Sequence, residues 1–144
     1  MPLILIQKYN YEDSRFIFDL RNKLYVRKAS INKEKINYPV HKIWMINFLK
    51  DKKNKLLIIR SKRKKIGFIR LEKKNFFFYL SWAMLRKYHK KGIFSKSLKA
   101  ATNEYKLKYK AVIIKENISS IKSALKAGFI KTKKNGKIFH MSKN

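Results

Sequence analysis

The sequence has no cysteine, which excludes disulfides, thiolate metal sites and a cysteine nucleophile. Acids are almost as scarce. Asp and Glu total 8 against 38 Lys and Arg, a formal charge of +30. Paired carboxylates and carboxylate-rich metal cages therefore have little to draw on, and the three histidines at 41, 89 and 140 have no ligand spacing, so no metal is expected. No run of about 20 apolar residues exists to span a membrane. The start, MPLILIQK, is too short for a signal-peptide core and lacks a basic n-region, so a cytoplasmic location is expected. Gly and Pro number only 4 and 2, and no linker or repeat divides the 144 residues. A single domain over 1–144 is expected.

What is present is apolar enough to fold. Hydrophobic residues make up 45% and aromatics 14%. The charge of +30 should attract any polyanion nonspecifically, nucleic acid included. Of the basic residues, 31 are Lys and 7 Arg, and they sit in separate runs at 50–55, 60–65, 86–91 and 131–137. Readers of bases and phosphates favour the arginine fork. Most of this charge reads as solvated turns and edges.

Periodicity orders the chain. LILIQK (3–8) predicts a buried strand, and 11–30 a helix with Phe16, Ile17, Leu20 and Leu24 on one face, capped by Asp13 or Ser14. A break over 32–39 leads to a helix at 40–50. Strands follow at 56–61, 66–73 and 75–85, with KRKK as the first turn. Phe94, Leu98, Ala101 and Tyr105 mark a helix ending near Lys108. A strand at 111–115 precedes a helix within 116–129, with Ile118, Ile121 and Leu125 on one face and Gly128 as its stop. A hairpin turning at Asn135–Gly136 closes the chain. A strand–helix–strand crossover inside an otherwise antiparallel sheet is a mixed α/β single domain.

One segment carries a chemical signal. RKYHKKGIFSKSL (86–98) takes a basic loop with one glycine from a central strand into a helix. Free N–H groups at a helix start, and a glycine that admits close approach, suit a phosphate or pyrophosphate. An ordinary turn on a lysine-rich surface has the same pattern, and the segment alone leaves both readings open.

A second constellation adds to it. Asn117, Gly128 and Phe129 form N-x(10)-G-F after the next strand. With HKKGIF at 89–94 and the order of elements, the chain resembles the GNAT superfamily of acetyl-CoA-dependent N-acetyltransferases over essentially its whole length. Within it, Arg21, Asn22, Val26, Arg27 and Ser30, then His41 and Trp44, with ENISSIK (116–122) and KAGF (126–129), resemble a branch acting on nucleotide-linked amino sugars, as in pseudaminic-acid-type pathways.

The resemblance implies a mostly antiparallel twisted sheet with a splayed central strand pair, flanked by helices. It implies acetyl-CoA as acyl donor and direct attack by an amine in a ternary complex, which suits a chain without cysteine. Met84, Leu85, His89, Lys90, Lys91, Gly92, Ile93, Phe94, Ser95, Asn117 and Ser120 would then hold the cofactor. A main-chain group around Trp82–Leu85 would face the oxyanion.

For the base there are two candidates. His41 titrates near neutrality, or is simply structural. Glu116 ends the strand at 111–115, or is a helix-start charge. Ser81 could relay a proton. Arg21, Asn22, Arg27, His41 and Trp82 are candidates for binding a nucleotide-sugar acceptor. Three positions depart from the superfamily pattern. His89 stands for Arg or Gln, Phe94 for a small residue, and Ala124 for a tyrosine acid. Two other readings remain: acetylation of a protein or peptide amine, and a basic nucleic-acid-binding module on a degenerate acyltransferase fold.

Overall fold

The computed structural model describes residues 4–104 and 107–144. Its strands are β1 (Ile4–Lys8), β2 (Lys55–Ser61), β3 (Lys64–Lys74), β4 (Phe77–Met84), β5 (Lys108–Ile114), β6 (Ile130–Asn135) and β7 (Ile138–Lys143). They form one seven-stranded sheet in the order β1-β2-β3-β4-β5-β7-β6. Every neighbouring pair is antiparallel except β4 and β5. The helices are α1 (Ser14–Arg21), α2 (Leu24–Lys28), α3 (Tyr38–Lys50), α4 (Ile93–Glu104) and α5 (Ile118–Lys126).

The central strands are apolar on both faces because each face has its own core. Ile59, Ile69 and Leu71 pack with Leu98 and Ala101 of α4 and Ile121 of α5. Ile58, Phe68 and Ala83 pack with Ile17 and Leu20 of α1 and Met45 and Phe48 of α3. Two-sided burial explains the unbroken run LLII of β2, where a half-wet strand would alternate. The FFFYL run does alternate, with Phe78 and Leu80 buried, Phe77 and Tyr79 half-buried and Phe76 exposed before the strand.

Four helical elements depart from expectation. The helix over 11–30 is divided into a 3-10 turn (Tyr11–Asp13), α1 and α2. Lys23 takes ψ 135 between the helices. Asn22 beside it donates to the Ile36 carbonyl at 2.7 Å and accepts from the Ile36 N–H at 2.8 Å. A contact across the following loop thus ends a helix that local pattern would continue. Nor does Asp13 or Ser14 cap it. Asn10 and Asp13 close a capping box on the preceding turn, and buried Asp13 lies 2.6 Å from Lys65 Nζ. The second helix starts at Tyr38, not Val40, because Asn37 accepts from the Val40 N–H and Pro39 fits the first turn.

The third correction is the end of α4. It ends at Glu104, and Lys108 already belongs to β5; Tyr105 lies outside the described residues. The fourth is the buried face of α5, which carries Ile121 and Ala124. Ile118 and Leu125 are 60% and 45% exposed. Ala124 and Ala127 are small enough to seat the helix against the sheet, so side-chain size misassigned the face.

Gly67 of β3 is required by the close approach of β4. A Cβ there would lie 2.6 Å from the Ala83 carbonyl oxygen of β4. Gly67→Ala must push these strands apart and should lower stability by about 1–3 kcal/mol. Urea unfolding measures the loss; an unchanged midpoint would show that the strand pair yields freely.

Candidate functional site

β4 and β5 run side by side only from Phe77↔Lys108 to Leu80↔Ala111. Beyond that no pair joins Ser81–Met84 to Val112–Ile114, and the strands separate. On its other edge β4 stays paired with β3 through Gly67↔Met84. The Leu85 N–H donates to the Ile66 carbonyl at 2.8 Å. Antiparallel pairs alternate, so Ser81 and Ala83 also direct their main chain to β3. Trp82 and Met84 therefore turn theirs toward the gap. Of the stretch 82–85, Leu85 has its N–H engaged, and Trp82 and Met84 hold the candidate donors.

The gap opens into a cavity of about 350 Å³. Its walls include Arg21, Ser30 and Glu34 on one side, Trp44 and Arg70 beneath, Ser81 and Trp82 on β4, and Asn117 and Ser120 at the start of α5. A smaller hollow adjoins it through Ser30, Trp82, Asn117 and Ser120 and reaches Tyr25, His89 and Phe94. The cleft thus passes from the α1–α3 side of the sheet toward the glycine loop.

The loop is built for main-chain contact. Lys90 and Gly92 both take left-handed backbone, with φ 61 and 73. The Gly92 carbonyl accepts from the Lys96 N–H at 3.3 Å and the Ser95 hydroxyl at 3.0 Å, which starts α4. The N–H groups of the first turn, from Ile93 onward, have no intrahelical carbonyl to bond. A Cβ on Gly92 would meet nothing within 4 Å, so the space before the loop is open. Lys90 and Lys91 are exposed beside it. Phe94 is turned inward into the core, leaving the loop face clear.

His89 is placed differently from expectation. Its Nε2 lies 2.8 Å from the Met84 carbonyl oxygen, which can only accept, so Nε2 carries the proton. The ring also meets Tyr25 edge-on at 5.9 Å and Phe94 at 6.1 Å. His89 ties the loop to the end of β4, and this donor is not free for an anion. Asn117 also has a structural duty. It accepts from the Ser120 N–H at 3.2 Å and donates to the Ala29 carbonyl at 3.1 Å, joining α5 to the end of α2. The Ser120 hydroxyl accepts from the Trp82 indole at 3.2 Å.

Both candidate bases are displaced from the cleft. His41 is 0% exposed, inside α3. Arg21 donates to its Nδ1 at 3.2 Å, which puts the ring proton on Nε2. Burial, and then the charge of Arg21, push its pKa down to about 4. The ring is neutral, enclosed and a weak base. Glu116 is exposed in the turn after β5 and does not line the cavity. The carboxylate that does line it is Glu34, in the loop that Asn22 folds back. Nothing local in the sequence marks Glu34, because its place follows from the folded-back loop, which Asn22 holds at Ile36 and Arg27 holds at Lys33.

Ser81, Arg21 and Trp82 line the cleft, while Asn22 and Arg27 do not. Arg27 Nε donates to the Lys33 carbonyl at 3.2 Å. Ala124 is fully buried, with no route to the cleft. Arg70 was missed. Its signal was readable: one cation in the apolar strand IGFIRL, on the same face as Phe68. Among the described residues no group of three or more His, Cys, Asp or Glu could hold a metal ion. No helix there is long and apolar enough to cross a membrane.

No family model matches the sequence, and no curated protein sequence matches it. Solved structures do match in shape. Spermidine N-acetyltransferase from Vibrio cholerae, in complex with CoA and spermine, superposes with a TM-score of 0.84 at 14% identity, over 96% of this chain and 94% of that one. A domain from Methanocaldococcus jannaschii matches at 0.83 with 23% identity, over 99% and 98%. AAC(6')-Ib, in complex with paromomycin and acetyl-CoA, matches at 0.82 with 13% identity, over 98% and 93%. With its splayed β4–β5 pair and the glycine loop before α4, the chain has the GNAT-type N-acetyltransferase fold.

Proposed function

We propose that the protein transfers the acetyl group of acetyl-CoA to a primary amine, and that the amine belongs to a nucleotide-linked amino sugar. The observation that carries the transfer reading is the end of β4–β5 pairing at Leu80↔Ala111 beside an open helix-start loop. It leaves main-chain donors of β4 facing a gap that a slender thioester arm can enter. The N–H groups at the start of α4, with Gly92, Lys90 and Lys91, receive the cofactor's pyrophosphate. The Trp82 or Met84 N–H meets the developing oxyanion.

The amine enters from the Arg21 side and needs to lose a proton. Glu34 and Ser81 are the cavity groups that can accept or relay it. Arg21 and Arg70 favour the neutral amine electrostatically. Their charge also opposes a polyamine acceptor and suits a diphosphate. The sugar-nucleotide reading is supported by the resemblance at Arg21–Ser30 and His41–Trp44. Asn22, Arg27 and His41 shape the acceptor wall in that reading and do not touch substrate.

Calorimetry tests the transfer reading. Acetyl-CoA should bind one to one at about 0.15 M salt, where charges are screened beyond about 8 Å. ADP and a short DNA duplex should bind far more weakly. If salt removes all three together, the cofactor site does not exist and the charge serves nonspecific contacts.

A further inference from the structure

Arg70 and Arg21 meet over one aromatic ring. Their guanidinium carbons lie 5.3 and 4.7 Å from the Trp44 ring centre. Both line the cleft. Among the described residues neither has a carboxylate oxygen within 4 Å. Arg21 donates to a neutral imidazole, and the buried Nε of Arg70 has no partner. Glu72 acts on Arg70 only from beyond contact. Two like charges taken from water without a paired carboxylate therefore oppose folding, and a surface lysine would avoid that cost. The strain shows in Arg21, whose pKa is lowered to about 10 by burial and then by Arg70. Such an arrangement is stabilised when an anion arrives.

We propose that Arg21 and Arg70 form an anion-binding floor that anchors a carboxylate or phosphate group of the amine acceptor. This rests on the acetyl-transfer reading and assigns the side chains that hold the acceptor's negative charge, whether or not that charge belongs to a nucleotide. Position supports it. Arg70 pairs across the sheet with Ser81, the first residue of the splayed stretch. Directly opposed residues lie about 5 Å apart. An acceptor held by its anion at Arg70 therefore reaches the gap with a short arm. A guanidinium grips both oxyanions through paired N–H donors. Trp44 closes the floor, so its fluorescence should report occupancy.

The test uses three related amines: glucosamine, glucosamine 6-phosphate and muramic acid, which carries a carboxylate. Release of the CoA thiol is followed for the wild type, Arg70→Gln, Arg21→Gln and Arg70→Lys. At least one anionic amine should exceed glucosamine in kcat/KM by about thirtyfold or more. The advantage should collapse in both Gln variants and partly survive in Arg70→Lys, with acetyl-CoA affinity unchanged throughout. A gain confined to one anionic amine identifies phosphate or carboxylate as the group held. Equal rates for all three in the wild type overturn the proposal, as does a preference that survives in both Gln variants.

If none of the three is acetylated, titration with inorganic phosphate and with acetate decides. A saturable change in Trp emission, lost in Trp44→Phe and in Arg70→Gln, supports the floor, and no change in the wild type overturns it. These wild-type measurements do not depend on a variant folding. Failure of acetyl-CoA to bind would refute the transfer reading alone, since the phosphate and acetate titrations need no cofactor.

Discussion

Gly92→Val should weaken acetyl-CoA binding by at least about tenfold, which corresponds to roughly 1.4 kcal/mol. Gly92 holds φ 73, a region that costs a side-chain-bearing residue about 1–2 kcal/mol, with β-branched residues the worst placed. The variant has two courses. It can keep the left-handed backbone, and its side chain then projects into the open space before the loop. Otherwise the backbone flips, and the N–H groups at the start of α4 no longer converge. Either course harms a pyrophosphate site.

Gly136→Val is the matched control. Gly136 has φ 59 and equally open space in the β6–β7 turn. It should lose similar stability and retain acetyl-CoA binding. Calorimetry on both variants, with thermal melts beside them, separates lost fold from lost site. Wild-type affinity in Gly92→Val would remove the loop from the cofactor site.

The second large effect is on stability in acid. His41 has a folded pKa of about 4 against an ordinary value of 6.5. Between these the unfolded chain binds a proton that the folded chain refuses, so stability rises with pH across that window. The contribution is complete above about pH 6.5 and is lost as pH falls through about 4. The size is on the order of 3 kcal/mol for a shift of this magnitude. Arg21, packed on Nδ1, adds its positive charge to the burial that keeps the ring neutral. His41→Gln cannot titrate and should flatten this part of the curve. Urea midpoints taken from neutral pH down to about pH 4 measure it. A wild-type slope no steeper than that of the variant would show that the ring is not held neutral.

The acid effect bears on the missing base. Buried His41 would make the folded state sensitive to acid without making it a proton acceptor for substrate. A falling rate below neutrality in this protein therefore has to be compared with unfolding before any catalytic group is assigned.

The order of strands and helices was legible in the sequence by itself, because apolar period and four scarce glycines carry local information. So was the strand-to-helix loop at Gly92, since a glycine between lysines and an apolar helical stripe is a local pattern. The inward turn of Phe94 was open to the same logic, being the first residue of that stripe. Tertiary structure decided what depends on distant partners. Asn22 breaks the long helix only because Ile36 returns to it. Glu34 enters the cleft, and Glu116 stays outside, through loop closure and the course of β5 beyond its last pair with β4. His41 lost its candidacy through burial beside Arg21, which no spacing reveals. Arg70 acquired meaning only when Arg21 of α1 came to share Trp44 of α3 with it. Periodicity records which face of an element is apolar. It does not record which charged groups the assembled faces bring together, and those charges shape the cleft.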